Sequence, residues 1–193
     1  MRKANCRGCE DRDLIIASLK RDLKELRGKL EWFETKAHPT MVTGIRGEKL
    51  VVKITGGWRT PSGWPHDIKM ANGQKVEVKT SKIGSPHRSR SASRRWTWGK
   101  ILGAGGRKDF DWILLLGEKD RDYQGDDNDA YVYFILNKDD IRSVITNGGN
   151  IHLNIDPRTT RSPSGMRLWK QFRTKSADMP KFWNNVKALD SKI

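Results

Sequence analysis

The clearest periodicity in the chain is helical and lies near its start. Between Asp11 and Lys36, the residues Ile16, Leu19, Leu23, Leu26, Leu30 and Phe33 fall alternately three and four apart, which is a heptad seam. In a parallel pair of such helices each g position meets the next e position of the partner. Here that sets Asp22 against Arg27 and Lys29 against Glu34, both attractive. Gly28 falls on the outer face, where it weakens the helix by about 1 kcal/mol without touching the seam. The pattern suits a two-stranded coil, and hence a homodimer, slightly better than an amphipathic helix packed on its own domain. His38-Pro39 ends it, because proline disfavours helical geometry in the residue before it.

Beyond Pro39 the pattern alternates between periods. A helix is expected over about Thr40–Lys53, then a Gly/Trp/Pro loop from Gly56 to Pro65. A hairpin follows, with strands near His66–Met70 and Gln74–Ser81. Further strands are expected near Phe110–Leu116, Ala130–Leu136 and Ile151–Ile155, with helices at Lys138–Thr146, Met166–Thr174 and Pro180–Leu189. The fold class is therefore α/β, more closely α+β: a mixed sheet of about four to five strands flanked by helices. Residues 1–38 form an N-terminal dimerisation segment and 39–193 the main domain. The best apolar run, Trp112–Leu116, is strand-sized and far short of the roughly 20 residues that span a bilayer, so no membrane partner is expected. No secretory signal is visible behind Met1, and two cysteines build no disulfide framework; a cytoplasmic location is expected.

Charge sharpens this picture. The chain carries a formal net charge of +15, which for a chain of 193 residues points to a polyanionic partner, with DNA or RNA the leading candidate; double-stranded DNA is the partner expected. From Lys79 to Lys108 there is no Asp or Glu. Lys82, His87, Arg88, Arg90, Arg94, Arg95, Lys100, Arg107 and Lys108 are the expected nucleic-acid contacts there, with Ser85–Arg95 ordering on DNA. Trp96 and Trp98 either pack the base of this segment, the favoured role, or stack on a distorted base step. A second basic cluster around Ser162–Gly165, with Arg158, Arg161 and Arg167, is expected to form the other wall of the cleft. The acidic run Asp120–Asp129 lacks the closing glutamate of a calcium loop and is expected to be a solvated hairpin loop turned away from DNA.

The candidate chemistry sits in the hairpin. Asp67, Glu77 and Lys79 offer two carboxylates for a divalent cation and an ammonium for a developing charge. Register decides whether they meet. A two-residue turn at Asn72-Gly73 pairs Ile68 with Glu77 and sends Asp67 to the opposite face. A three-residue loop, Ala71-Asn72-Gly73 with a left-handed Gly73, sets Asp67 opposite Glu77. Only the second builds a metal site, and it is the expected one. Upstream, Glu48 interrupts the stripe Met41, Ile45, Val52, where it needs a metal, a water or Lys79 as partner, or lies solvated at the margin.

A helix bearing Glu48, then Asp67, then Glu77-Val78-Lys79 resembles the PD-(D/E)XK nuclease superfamily, which includes many type II restriction endonucleases. The resemblance spans roughly Thr40 to Leu136 and departs in that His66 separates Pro65 from Asp67. It implies that Asp67, Glu77 and the Val78 carbonyl hold Mg²⁺, with Mn²⁺ as a substitute. It also implies that Lys79 positions or activates water and that Glu48 is an auxiliary ligand. The expected activity is sequence-specific DNA cleavage by a homodimer. A junction-resolving or repair nuclease is the alternative among nucleases, and a non-catalytic nucleic-acid-binding module the alternative outside them. Finally, Cys6 and Cys9 are half of a zinc site: a parallel coil would bring four sulfurs together to share one Zn²⁺, whereas free thiols on a frayed terminus are the commoner outcome.

Overall fold

The computed structural model describes residues 7–36, 39–84, 94–123, 125 and 128–186. The chain divides into two compact units, Met1–Val42 and Thr43–Ile193. In the first, helix α1 runs over Arg7–Lys36. Its seam residues Ile16, Leu19, Leu23, Leu26 and Leu30 are exposed along the helix. Cys6 lies outside the described residues, as do His87, Arg88 and Arg90. No helix among the described residues is long and apolar enough to cross a membrane.

Helix α2 spans Pro39–Thr55 and leads into the second unit. There follow β1 (Trp58–Arg59), β2 (Ile68–Lys69), β3 (Lys75–Ser81), β4 (Arg95–Trp98), β5 (Trp112–Glu118), β6 (Tyr131–Asn137), α3 (Lys138–Ile141), β7 (Ile151–Asn154), α4 (Pro163–Arg167), β8 (Arg173–Thr174) and α5 (Met179–Asn185). The α+β class is as expected. Six strands form the main sheet, in the order β1-β2-β3-β5-β6-β8, and β4 pairs with β7 in a separate two-stranded ribbon. The expected count of four to five falls short because β1 and β8 have two residues each, too few to show any alternation, and because β4 lies in the segment read as a basic loop.

Two of the expected helices change shape for local reasons. The helix expected over Lys138–Thr146 stops at Ile141. Ser143 Oγ donates to the Asp140 carbonyl at 2.6 Å, and the β-branched run Val144-Ile145-Thr146 follows. The helix expected near Met166 starts earlier, at Pro163. Ser162 caps it by accepting from Gly165 N–H, and proline suits the first helical turn. It passes into one π-helical turn, Leu168–Phe172, before β8.

The main sheet is covered on both faces, which explains why β5 and β6 are almost wholly apolar rather than alternating. Ile113, Leu115, Val132, Phe134 and Leu136 face one core with Trp96, Trp98, Ile151 and Leu153. Leu114, Leu116, Tyr133 and Ile135 face the other, with Val51 of α2, Val76 and Val78 of β3, and Met179 and Trp183 of α5. Core packing is thus the role of Trp96 and Trp98.

Helix α2 reaches the sheet through a missing side chain. A Cβ built on Gly47 would lie 2.2 Å from Thr80 Oγ1 of β3, so only glycine allows this approach. Gly47→Ala should force the helix outward and cost about 1–3 kcal/mol in urea denaturation. Gly44→Ala, where a Cβ meets nothing within 4 Å, should be neutral or mildly stabilising. Equal effects at the two positions would mean that α2 does not seat on β3 in this way.

Candidate functional site

The hairpin takes the three-residue loop. Ile68 pairs with Val76 and Lys69 with Lys75, while Met70 N–H donates to Gln74 O at 2.9 Å. Gly73 holds φ at +84°, the left-handed value this loop demands of a residue without Cβ. Asn72 locks the tip: its Oδ1 accepts from Gln74 N–H, and its Nδ2 donates to the carbonyls of Trp183 and Val186. The ladder ends at Ile68 and Val76, and the next residue of each strand, Asp67 and Glu77, reaches the same Lys108 ammonium.

The strand pair opens at that point. Asp67 N–H still donates to Val76 O at 3.1 Å, but the next donor on β3, Val78 N–H, is taken by the Asp67 side chain, whose Oδ2 accepts it at 2.9 Å. N–H and C=O of one strand residue point to the same edge, so the Val78 carbonyl faces the side on which this carboxylate lies. By strand alternation Glu77 points away from the core that receives Val76 and Val78. It is nevertheless fully buried, at 0 % exposure.

Two carboxylates and two lysines meet here, with a third ion pair, Glu48 and Arg59, within electrostatic reach. Lys79 Nζ lies 2.8 Å from Glu77 Oε1, an ion contact without the alignment of a hydrogen bond, so this buried oxygen has no hydrogen-bond partner. Lys108 Nζ donates to Glu77 Oε2 at 2.9 Å and reaches Asp67 Oδ1 at 3.4 Å. Arg59 Nε pairs with Glu48 Oε2 at 2.6 Å. Burial, and then the Asp67 charge, push the Glu77 carboxyl above its ordinary pKa, against the pull of Lys79 and Lys108. Burial and then Asp67 also raise Glu48, with Glu77 adding to the shift and Arg59 opposing it. Desolvation alone would lower the Lys108 ammonium, but its bond to Glu77 and the two nearby carboxylates raise it instead.

The sequence thus brings Asp67, Glu77, Val78 and Lys79 together as expected, with Glu48 within electrostatic reach. Two partners were not anticipated. Glu48 pairs with Arg59, supplied by a strand too short to be read from sequence. Lys108, read from sequence as a nucleic-acid contact, bridges the Asp67 and Glu77 carboxylates. Among the described residues no three His, Cys, Asp or Glu side chains are drawn together as a ready cation cage. The donor chemistry nonetheless suits a hard divalent ion: carboxylate oxygens, one buried and lacking a hydrogen bond, beside a backbone carbonyl.

A second feature is the β4–β7 ribbon. Arg95 pairs with Asn154, Trp96 with Leu153, Thr97 with His152 and Trp98 with Ile151. The apolar members are buried, so Arg95, Thr97, His152 and Asn154 share the outer face. Arg95, His152 and Asn154 of that face, with Arg94, Arg161 and the Arg158–Asp156 ion pair, line an open groove of about 900 Å³. His152 Nδ1 lies 3.0 Å from Thr97 Oγ1, and burial followed by the Arg95 charge lowers its pKa. The ribbon joins β3 where Ser81 Oγ accepts from Thr97 N–H at 2.9 Å. Ser81 lies four residues beyond Glu77, roughly 13 Å along a strand.

Two of the basic residues carry partners that were not anticipated. Arg94 is paired with Asp120, at the start of the acidic run. Arg167 is held by Asp140 and Gln171 and lies over the Phe172 ring. Lys82, Lys100 and Arg107 are exposed but lie outside the groove lining, whereas Arg95, Arg158 and Arg161 line it. His152 and Asn154 were not anticipated, although the alternation Ile151-His152-Leu153-Asn154 carries the signal. Compared with known proteins, the sequence matches no protein-family model and no curated protein.

Proposed function

We propose that the chain is a divalent-metal-dependent DNA endonuclease with a PD-(D/E)XK type of site, acting on a specific sequence as a homodimer. The observation that carries this is the convergence of the Asp67 and Glu77 carboxylates on one ammonium, Lys108, with Lys79 against the buried carboxylate. Mg²⁺ or Mn²⁺, held by Asp67, Glu77 and the Val78 carbonyl, would supply Lewis-acid stabilisation of charge on the scissile phosphate. Lys79, an ammonium against Glu77, is placed to orient a water and offset developing negative charge, and Glu48 adds negative charge nearby. The exposed seam of α1 suits parallel pairing with a second copy, and a two-fold enzyme suits a palindromic site.

The ribbon supports the DNA partner. A two-stranded β-ribbon fits the major groove, and its outer face here is basic. Arg95→Ala and Arg161→Ala should each weaken DNA binding and lower the salt-dependence slope by about 1, as measured by titration at several salt concentrations. Unchanged slopes would remove the ribbon from the interface.

The test of function is incubation of the full chain with long, sequenced DNA and Mg²⁺. Discrete fragments are expected. A smear, or preference for a branched substrate, would favour a structure-specific nuclease. Binding with a steep salt slope but no cleavage would favour a binding module in which the cluster is a charge-neutral staple, a reading supported by the Lys108 bridge.

A further inference from the structure

We infer that Lys108 is a tethered counter-ion for the carboxylate pair, and that a divalent cation binds Asp67 and Glu77 only by displacing it. The inference rests on the metal-site proposal above and concerns what controls occupancy of that site. Lys108 Nζ touches Glu77 Oε2 and Asp67 Oδ1 at once, at 2.9 and 3.4 Å, so a cation bridging the same two oxygens would take its position. The two cannot share it, because like charges so close repel strongly in a poorly solvated site. The buried Glu77 and its neighbour Asp67 carry two negative charges, of which Lys79 balances one; Lys108 balances the other when no metal is bound.

The surrounding chain is suited to the exchange. Lys108 ends a glycine-rich loop in which Gly103, Gly105 and Gly106 all have positive φ, from 69 to 76°. A Cβ on Gly103 would lie 2.7 Å from Lys108 Cγ, so the loop folds closely over the lysine stem. Beyond a 2.9 Å bond from Gly103 N to Lys100 O, the loop's hydrogen bonds are long, 3.5 Å from Gly106 N to Gly103 O and 3.4 Å from Lys108 N to Leu102 O. The next residue is firmly anchored: Asp109 N–H donates to Pro65 O at 3.0 Å and its carboxylate pairs with Lys75. The lysine side chain is 25 % exposed and has a path to solvent, so it can leave while the backbone after it stays. Lys79 remains on Glu77 Oε1 throughout, which separates the two lysines by role: one stays with the chemistry, the other yields to the metal.

The experiment measures Mn²⁺ binding to the full chain, without DNA, by titration calorimetry. Lys108→Gln should bind Mn²⁺ about tenfold or more tightly than the parent, Lys108→Arg no more tightly, and Glu77→Gln should lose binding. In the unmodified chain, saturating Mn²⁺ should speed labelling of Lys108 by an amine-reactive ester, read by peptide mass spectrometry. Glu77→Gln should show no such metal effect. The labelling arm needs no Lys108 variant, so it decides the matter if Lys108→Gln does not fold. Equal Mn²⁺ affinity in the parent and a folded Lys108→Gln, or slower labelling with metal, overturns displacement while leaving the metal site standing. No Mn²⁺ binding by any variant overturns both.

Discussion

Glu77→Gln is expected to abolish Mg²⁺-dependent cleavage, by about a thousandfold or more, while leaving DNA binding intact. The substitution removes one negative charge and almost no volume. Because Glu77 is completely buried, no solvent can replace the lost ligand, whereas a more exposed carboxylate could be partly substituted by water. Binding to the polyanion should hold or improve, since a repulsive charge is gone. The change also leaves Lys79 and Lys108 without their shared carboxylate, so a melting curve must accompany the assay. Cleavage of labelled duplex, against a band shift in the absence of metal, separates chemistry from binding. Parental cleavage by Glu77→Gln would show that the cluster is not the catalytic centre.

Trp98→Ala should lower stability by about 3–5 kcal/mol in urea denaturation. The Trp98 ring is 1 % exposed and packs edge-on to Phe134 of β6. Its Nε1 donates to the Leu116 carbonyl of β5 at 3.0 Å, tying the ribbon to the main sheet. Alanine would remove both the packing and this hydrogen bond. The loss should also loosen the groove face, so DNA affinity should fall in whatever fraction remains folded. Trp98→Phe, which keeps most of the packing, should cost less, about 1–2 kcal/mol for the lost hydrogen bond and the imperfect fill. A loss in Trp98→Ala no larger than in Trp98→Phe would mean that the ribbon is not docked through this indole.

The residues that proved legible are those governed by their near neighbours. The turn chemistry of Asn72-Gly73, the alternation in β3 and the apolar runs of β5 and β6 each act within a few residues. They suffice to bring the ends of the two strands that carry Asp67, Glu77 and Lys79 side by side. The heptad seam of α1 and the break at Pro39 are local in the same sense. The site's charge balance was not legible, because its members come from distant parts of the chain. Arg59 reaches Glu48 from a two-residue strand, Lys108 reaches Glu77 from 31 positions away, and Asp120 reaches Arg94 from 26. In sequence, a basic residue between other basic residues reads as a phosphate contact.

Local pattern therefore prescribed the α+β class, the hairpin register and the candidate catalytic trio, since backbone hydrogen bonding and side-chain alternation follow from adjacent residues. Partner choice among the charged groups was settled by folding alone. Burying Glu77 completely forces nearby cations onto it whatever their place in the chain, since an unpaired charge in that position would cost more than either lysine gains from solvent.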